Sequence, residues 1–301
     1  MANELESTNS AIQVAVSVKD EVIHMQDIGF SYGRKPLFNH LNLSVMRGNI
    51  YGLLGKNGSG KTTLLKLLSG QLFPSEGYTS ALGFDPVERK PPMLSEIFYL
   101  PEEFPLPKMK AKEYLAMRSV FYPRFDHTMF AQFCKDFSLD MQQNLSEMSL
   151  GQKKKLLLAF GLASNTALLI LDEPTNGLDI PSKRQFRQTV ASAMTEDRTF
   201  IISTHQVRDM ENLIDPLIIL NDGAIIFNDT VDSVNDRFVM ALVSSDPGPE
   251  KGIVYKEKVL GGWMVLKERE EGEEVQGQPL DLETLFNVVV ENPTLMAGGA
   301  R

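Results

Sequence analysis

The stretch that most constrains this chain is Gly55-Lys56-Asn57-Gly58-Ser59-Gly60-Lys61-Thr62. It fits G-x-x-x-x-G-K-[ST], a loop that cradles phosphate. The apolar run at 50–54 leads in and reads as a buried strand, and residues 61–68 lead out with apolar residues at helical spacing. Strand, glycine loop and helix together are the context such a loop needs. Glycines let the backbone curl with its N–H groups facing one point, and the helix N-terminus adds positive potential there. Gly55, Asn57, Gly58, Ser59, Gly60, Lys61, Thr62 and the following Thr63 are the expected nucleotide contacts. Lys61 is expected to reach the β- and γ-phosphates, and the Thr62 hydroxyl to ligate Mg²⁺.

With 301 residues and 43% hydrophobic content, the chain can bury a sizeable core in one or two domains. Its formal net charge of −9 argues against broad attraction to nucleic acid. Cys134 is the single cysteine, so no disulfide framework is possible and a reducing cytoplasm is the simpler setting. The first twenty residues are polar and carry Glu4 and Glu6, unlike a secretion signal. The longest apolar run, at 156–163, is far short of a bilayer span. Any membrane role is expected to come through a partner.

Along the chain, residues 21–32 and 37–45 read as an antiparallel pair of strands with a turn at 33–36. Residues 77–84 and 95–100 read as further strands. From about 102 to 148 the texture turns helical, as in an inserted subdomain. A helix is expected at 152–162, a fully apolar strand at 167–171 and a helix at 180–194. A strand at 199–203 and a helix at 206–213 follow. The runs at 217–220 and 224–227 flank Asn221-Asp222-Gly223, a hairpin signal. Strands alternating with helices predict an α/β fold with a mainly parallel sheet, preceded by an antiparallel β part. Beyond 231 the pattern weakens, through an acidic segment at 268–274 to an amphipathic end at 280–290.

A second chemical signal is Leu168-Leu169-Ile170-Leu171-Asp172-Glu173. Asp172, at the end of an apolar strand, can hold Mg²⁺ through its carboxylate, usually via water, and Glu173 is placed to orient or deprotonate the attacking water. With this pair downstream of the phosphate loop, the chain resembles the ATP-binding cassette (ABC) family, the nucleotide-hydrolysing subunits of ABC transporters. The resemblance implies an ATPase domain over 21–231 and leaves 232–301 as an extension of unassigned role. It makes Tyr32 the aromatic that stacks on adenine. Met148-Ser149-Leu150-Gly151-Gln152 stands where the family has L-S-G-G-Q, so Ser149, Gly151 and Gln152 are implied to bind the γ-phosphate held by an opposite subunit. Asp179 matches the loop that crosses the dimer seam, and His205 the histidine that contacts γ-phosphate. Glu102 stands where the family usually has a glutamine that ligates Mg²⁺ and water. Leu150, replacing a glycine, requires the loop to manage with ordinary dihedrals.

The implied function is an ATP-hydrolysing motor subunit, of an exporter by the resemblance of residues 99–103 and 121–126 to that branch. Two cassettes, identical or not, would pair head to tail. They would drive a separate integral membrane permease from the inner face of the cell membrane, and no nucleic acid is implied. The permease is expected against residues 102–122, with Tyr114, Met117 and Phe121 on one helical face. The alternative is a soluble ABC ATPase that remodels a protein or nucleoprotein assembly.

Overall fold

A computed structural model describes residues 20–248, 252–269 and 280–293. The N-terminal leader, except Asp20, and most of the acidic segment lie outside the described residues. Strands β1 (Glu21–Tyr32) and β2 (Lys35–Met46) form an antiparallel hairpin around Gly33 and Arg34. Strand β3 (Ile50–Leu54), buried throughout, feeds the glycine loop, and α1 (Lys61–Leu68) leaves it. Strand β4 (Glu76–Ala81) joins the other side of β1, completing an antiparallel sheet ordered β2-β1-β4. The one-turn helix α2 (Pro91–Leu94) precedes β5 (Ile97–Leu100).

The insert holds α3 (Ala111–Ser119) and α4 (His127–Asp136), the latter capped by Asp126, whose carboxylate accepts from the N–H groups of Thr128 and Met129. Helix α5 (Leu150–Ala163) returns to β6 (Leu168–Asp172). Then come α6 (Ile180–Ser192), β7 (Thr199–Thr204), β8 (Leu217–Asn221) and β9 (Ala224–Asp229). The central sheet is ordered β5-β6-β7-β3-β8-β9, parallel except for β9.

Its strands are apolar runs because both faces are covered. Alternation along each run divides the side chains. Leu53, Leu168, Ile170, Ile201 and Ile218 pack with Leu64, Leu65 and Leu68 of α1 and with the antiparallel sheet. Leu54, Leu169, Leu171, Phe200 and Ile219 pack with α5 and α6. Phe160 of α5 pins the insert: the rings of Phe98, Tyr114, Tyr122, Phe125 and Phe130 lie 4.9–6.4 Å from its own. Aromatic pairs at such distances contribute roughly 0.5–1.5 kcal/mol each beyond area burial.

The structure differs from expectation at three places. Residues 206–213 form only a 3₁₀ turn, Val207–Met210, because Met210 is drawn into the core and Asp215 precedes Pro216. Tyr114 does not share a face with Met117 and Phe121, since its ring is buried at Phe160 and α3 ends before Phe121. The weakly patterned extension is ordered in part. Helix α7 (Val231–Arg237) leads to an antiparallel sheet of β10 (Phe238–Val243), β11 (Ile253–Val259) and β12 (Gly262–Glu268), and α8 (Leu282–Glu291) follows. Leu285, Val288 and Val289 of α8 join the core beneath Ile219 and Phe227. No described helix is long and apolar enough to cross a membrane.

Candidate functional site

The glycine loop turns sharply where β3 ends. A β-carbon on Gly55 would stand 2.4 Å from the carbonyl oxygen of Leu220, so the strand and loop approach closer than any side chain allows. Gly60, at φ 109°, caps α1 in a conformation that favours glycine. Lys61 is buried, and its ammonium donates to the carbonyl oxygens of Gly55 (2.7 Å) and Lys56 (3.4 Å), 3.8 Å from Glu173 Oε1. Burial pulls its pKa down, against the opposing pull of the carboxylates of Glu173, Asp172 and Glu102.

Parallel strands carry the second half of the site to the same edge. Asp172, at the end of β6, is buried and accepts from Thr62 Oγ1 (2.8 Å), Ser203 Oγ (2.6 Å) and Tyr99 OH (3.3 Å). Burial, then the charge of Asp172, pushes the Tyr99 phenol pKa up, so the hydroxyl stays a donor. Glu173 follows at φ 47°, with its N–H donating to Ser203 Oγ (3.0 Å). His205 Nδ1 lies 2.9 Å from Glu173 Oε1. Glu102 Oε1 accepts from Asn176 Nδ2 at 2.8 Å.

These groups open on a cleft of about 400 Å³. Of the expected residues, Tyr32, Asn57, Gly58, Gly60, Lys61, Thr62, Thr63, Glu102 and Glu173 line it. Gly55 and His205 line an adjoining cleft of about 510 Å³, walled on its far side by Glu283, Phe286 and Asn287 of α8. The Tyr32 ring is 54% exposed, held by its hydroxyl to Thr63 Oγ1 (3.1 Å) and edge-on by Phe30. That leaves a flat face free at the mouth.

Two buried atoms here, Ser59 Oγ and Glu173 Oε2, have no protein partner. Orphaned buried polar atoms are costly; an anion would accept from the Ser59 hydroxyl, and an ordered water would donate to Glu173 Oε2. Thr62 Oγ1 and Asp172 Oδ2 are paired hard oxygens beside the loop. Among the described residues no group of three or more His, Cys, Asp or Glu could hold a metal alone. The Thr62–Asp172 pair of oxygens fits Mg²⁺, which takes few carboxylates and fills its octahedron with waters and substrate phosphate oxygens.

Ser149, Gly151, Gln152 and Asp179 do not line either cleft. Ser149 caps α5: its Oγ accepts from Gln152 N (3.2 Å), and Gln152 Oε1 accepts from Ser149 N (2.9 Å). Leu150 occupies the first helical position, so it needs no left-handed backbone. Asp179 caps α6 by accepting from Ser182 N at 2.9 Å. Ser149→Ala is expected to lower stability by about 1 kcal/mol through loss of the cap. An unchanged midpoint in urea unfolding would show that Ser149 is not held in that role.

The family model described as ABC transporter matches residues 38–176. The chain is 30% identical over 213 residues to the lantibiotic transport ATP-binding protein SrtF of Streptococcus pyogenes, an alignment covering 70% of this chain and 92% of that one. The chain belongs to the ABC transporter ATP-binding family. It is 28% identical over 232 residues to the Nod factor export ATP-binding protein I of Bradyrhizobium sp. (strain SNU001), covering 74% of this chain and 75% of that one. The fold agrees with a solved structure titled as the ATP-binding subunit of an ABC transporter, at TM-score 0.65 and 22% identity over 71% of this chain and 92% of that one. The chain is therefore an ABC ATPase, and these relatives do not favour the soluble remodelling alternative.

Three contacts around the candidate site of this ABC ATPase are not foreseen in its sequence. Ser203 and Tyr99 reach Asp172 from neighbouring strands, a register that no local motif reports. Lys154 sits in the run Lys153-Lys154-Lys155, which reads as a solvated face. Its spacing of three and four from the buried Leu157 and Leu158 was the available signal that it points inward.

Proposed function

We infer that this ABC ATPase is the motor subunit of an exporter. In this reading residues 21–231 form the ATPase domain and 232–301 an extension. The observation that carries it is the position of Glu173. One oxygen is fixed beside His205 and Lys61, and the other is buried without a partner at the wall of the phosphate cleft. That free oxygen can take a proton from a water attacking the γ-phosphate, with ADP as leaving group. Lys61 and the loop N–H groups hold the phosphates, Tyr32 offers its face to adenine, and His205 orients Glu173. Thr62 and Asp172 would hold Mg²⁺, with Glu102 at its outer edge. The metal's contribution is to neutralise charge on the β- and γ-phosphates.

A second cassette, identical or related, completes the site. Ser149, Gly151, Gln152 and Asp179 do not line the cleft of their own chain and are suited to an opposite nucleotide. Leu150 and Ile180, 57% and 84% exposed in the same region, are apolar surface that a partner would cover.

The permease surface is a groove of about 860 Å³ lined by Leu94, Ile97, Tyr99, Val120, Phe121 and Pro123. Val120 and Phe121 are 73% and 65% exposed, whereas Phe104, Leu106 and Met109, expected at this surface, pack partly buried against the core. A short helix of an integral membrane permease, on the cytoplasmic face, suits the groove. Tyr99 spans from its floor to Asp172. The test uses Phe121→Cys in native membranes. Burial pushes the Cys134 thiol up to about 12, so it stays silent. A crosslink to an integral membrane protein that changes with ATP is expected. An active protein that neither crosslinks nor pellets with membranes would return the soluble alternative.

A further inference from the structure

Lys154 is only 5% exposed, yet it reaches no reacting group. Its ammonium donates to the carbonyl oxygens of Glu173 (3.1 Å) and Asn176 (2.7 Å). A buried ammonium is costly unless it is hydrogen-bonded, so these carbonyls fix where the nitrogen sits. Burial pulls its pKa down, and the carboxylates of Glu102, Glu173 and Asp172 oppose that shift.

The turn it grips is the one that aims the catalytic carboxylate. Glu173 holds a left-handed φ of 47°, a conformation that a β-carbon disfavours. Asn176 N–H folds back on Glu173 O at 3.2 Å, and the Asn176 side chain holds Glu102 (2.8 Å) and touches Gln206 (3.4 Å). At its other end Lys154 belongs to α5, a rod that begins at Ser149, little more than one helical turn away. One side chain thus joins the helix start that faces a partner to the turn that carries Glu173.

We propose that Lys154 is a positioning residue that ties the start of α5 to the Glu173–Asn176 turn, so that a partner cassette closing on Ser149 sets the catalytic carboxylate of the same chain. This rests on the dimer reading above. Lys154 does not line the nucleotide cleft, so its loss acts on turnover and on communication between sites, leaving nucleotide binding intact.

The experiment uses the full chain with Lys154→Met, which keeps length without a donor, and Lys154→Arg, which keeps a charged donor. For Lys154→Met, kcat is expected to fall roughly tenfold or more while KM for ATP changes less than about twofold, the pattern of an interaction that matters in the transition state only. The ATP dependence should flatten towards a simple hyperbola, and amide exchange at Asn176 and Leu178 should quicken while β6 is unchanged. Lys154→Arg should restore most of the rate. If Lys154→Met does not fold, Lys154→Gln, uncharged and one atom shorter, breaks the same two carbonyl contacts and carries the same expectations. Light scattering of Glu173→Gln with ATP and Mg²⁺ separates the two readings. A dimer there, together with wild-type turnover in Lys154→Met, overturns the coupling and leaves the dimer standing. No dimer in Glu173→Gln alone overturns the coupling by removing its partner.

Discussion

Glu173→Gln binds ATP and retains it, with hydrolysis slowed by about two to four orders of magnitude, the usual contribution of a positioned general base. The carboxylate is buried, with Oε1 2.9 Å from His205 Nδ1 and Oε2 unpaired. Glutamine reproduces the shape and keeps one acceptor for His205. Its amide nitrogen cannot take a proton, so the water loses its base while phosphate contacts persist. In the proposed dimer the trapped nucleotide should hold two cassettes together, since it would meet both halves only when they close. Single-turnover phosphate release and light scattering measure the two effects. Hydrolysis at the rate of the unsubstituted chain would remove Glu173 from the chemistry.

Lys61→Ala is expected to weaken ATP binding roughly thirtyfold or more, the magnitude of a lost charge-assisted hydrogen bond in a desolvated site. Its ammonium now spans the loop, bonded to Gly55 O and Lys56 O. These are weak neutral acceptors compared with a phosphate, so the side chain is free to turn to the stronger partner. The substitution also removes the ammonium that lies 3.8 Å from Glu173 Oε1. Titration calorimetry with ATP and Mg²⁺ gives the affinity, and the thermal midpoint without nucleotide separates lost binding from lost folding. An unchanged affinity would place Lys61 away from the phosphates.

The strand–loop–helix unit and the paired acids were legible because each depends on neighbours in sequence. Gly60 needs its left-handed backbone wherever the loop occurs, and the run ending in Asp172 is apolar because parallel strands are covered twice. Leu150 was readable as a departure, and the helix start at Ser149 shows how it is tolerated. Side chains that meet across strands were not legible: Ser203 and Tyr99 touch Asp172 through sheet register. The shared face expected of Tyr114, Met117 and Phe121 failed for a similar reason. Tyr114 looked like surface by its spacing, but Phe160, far along the chain, turns it inward. The extension hid its order because short strands such as β11 alternate only loosely, and its α8 is buried by contact with β8 and β9, which precede it by some sixty residues.

The hydroxyl of Ser203 donates a hydrogen bond to Asp172 Oδ1 at 2.6 Å and accepts one from the Glu173 N–H at 3.0 Å. A single hydroxyl oxygen therefore bonds both the carboxylate proposed to seat the metal and the backbone of the residue proposed to take the proton. Neither can drift without dragging the other. Ser203→Ala should therefore disturb the placement of both side chains at once, although Ser203 touches neither nucleotide cleft.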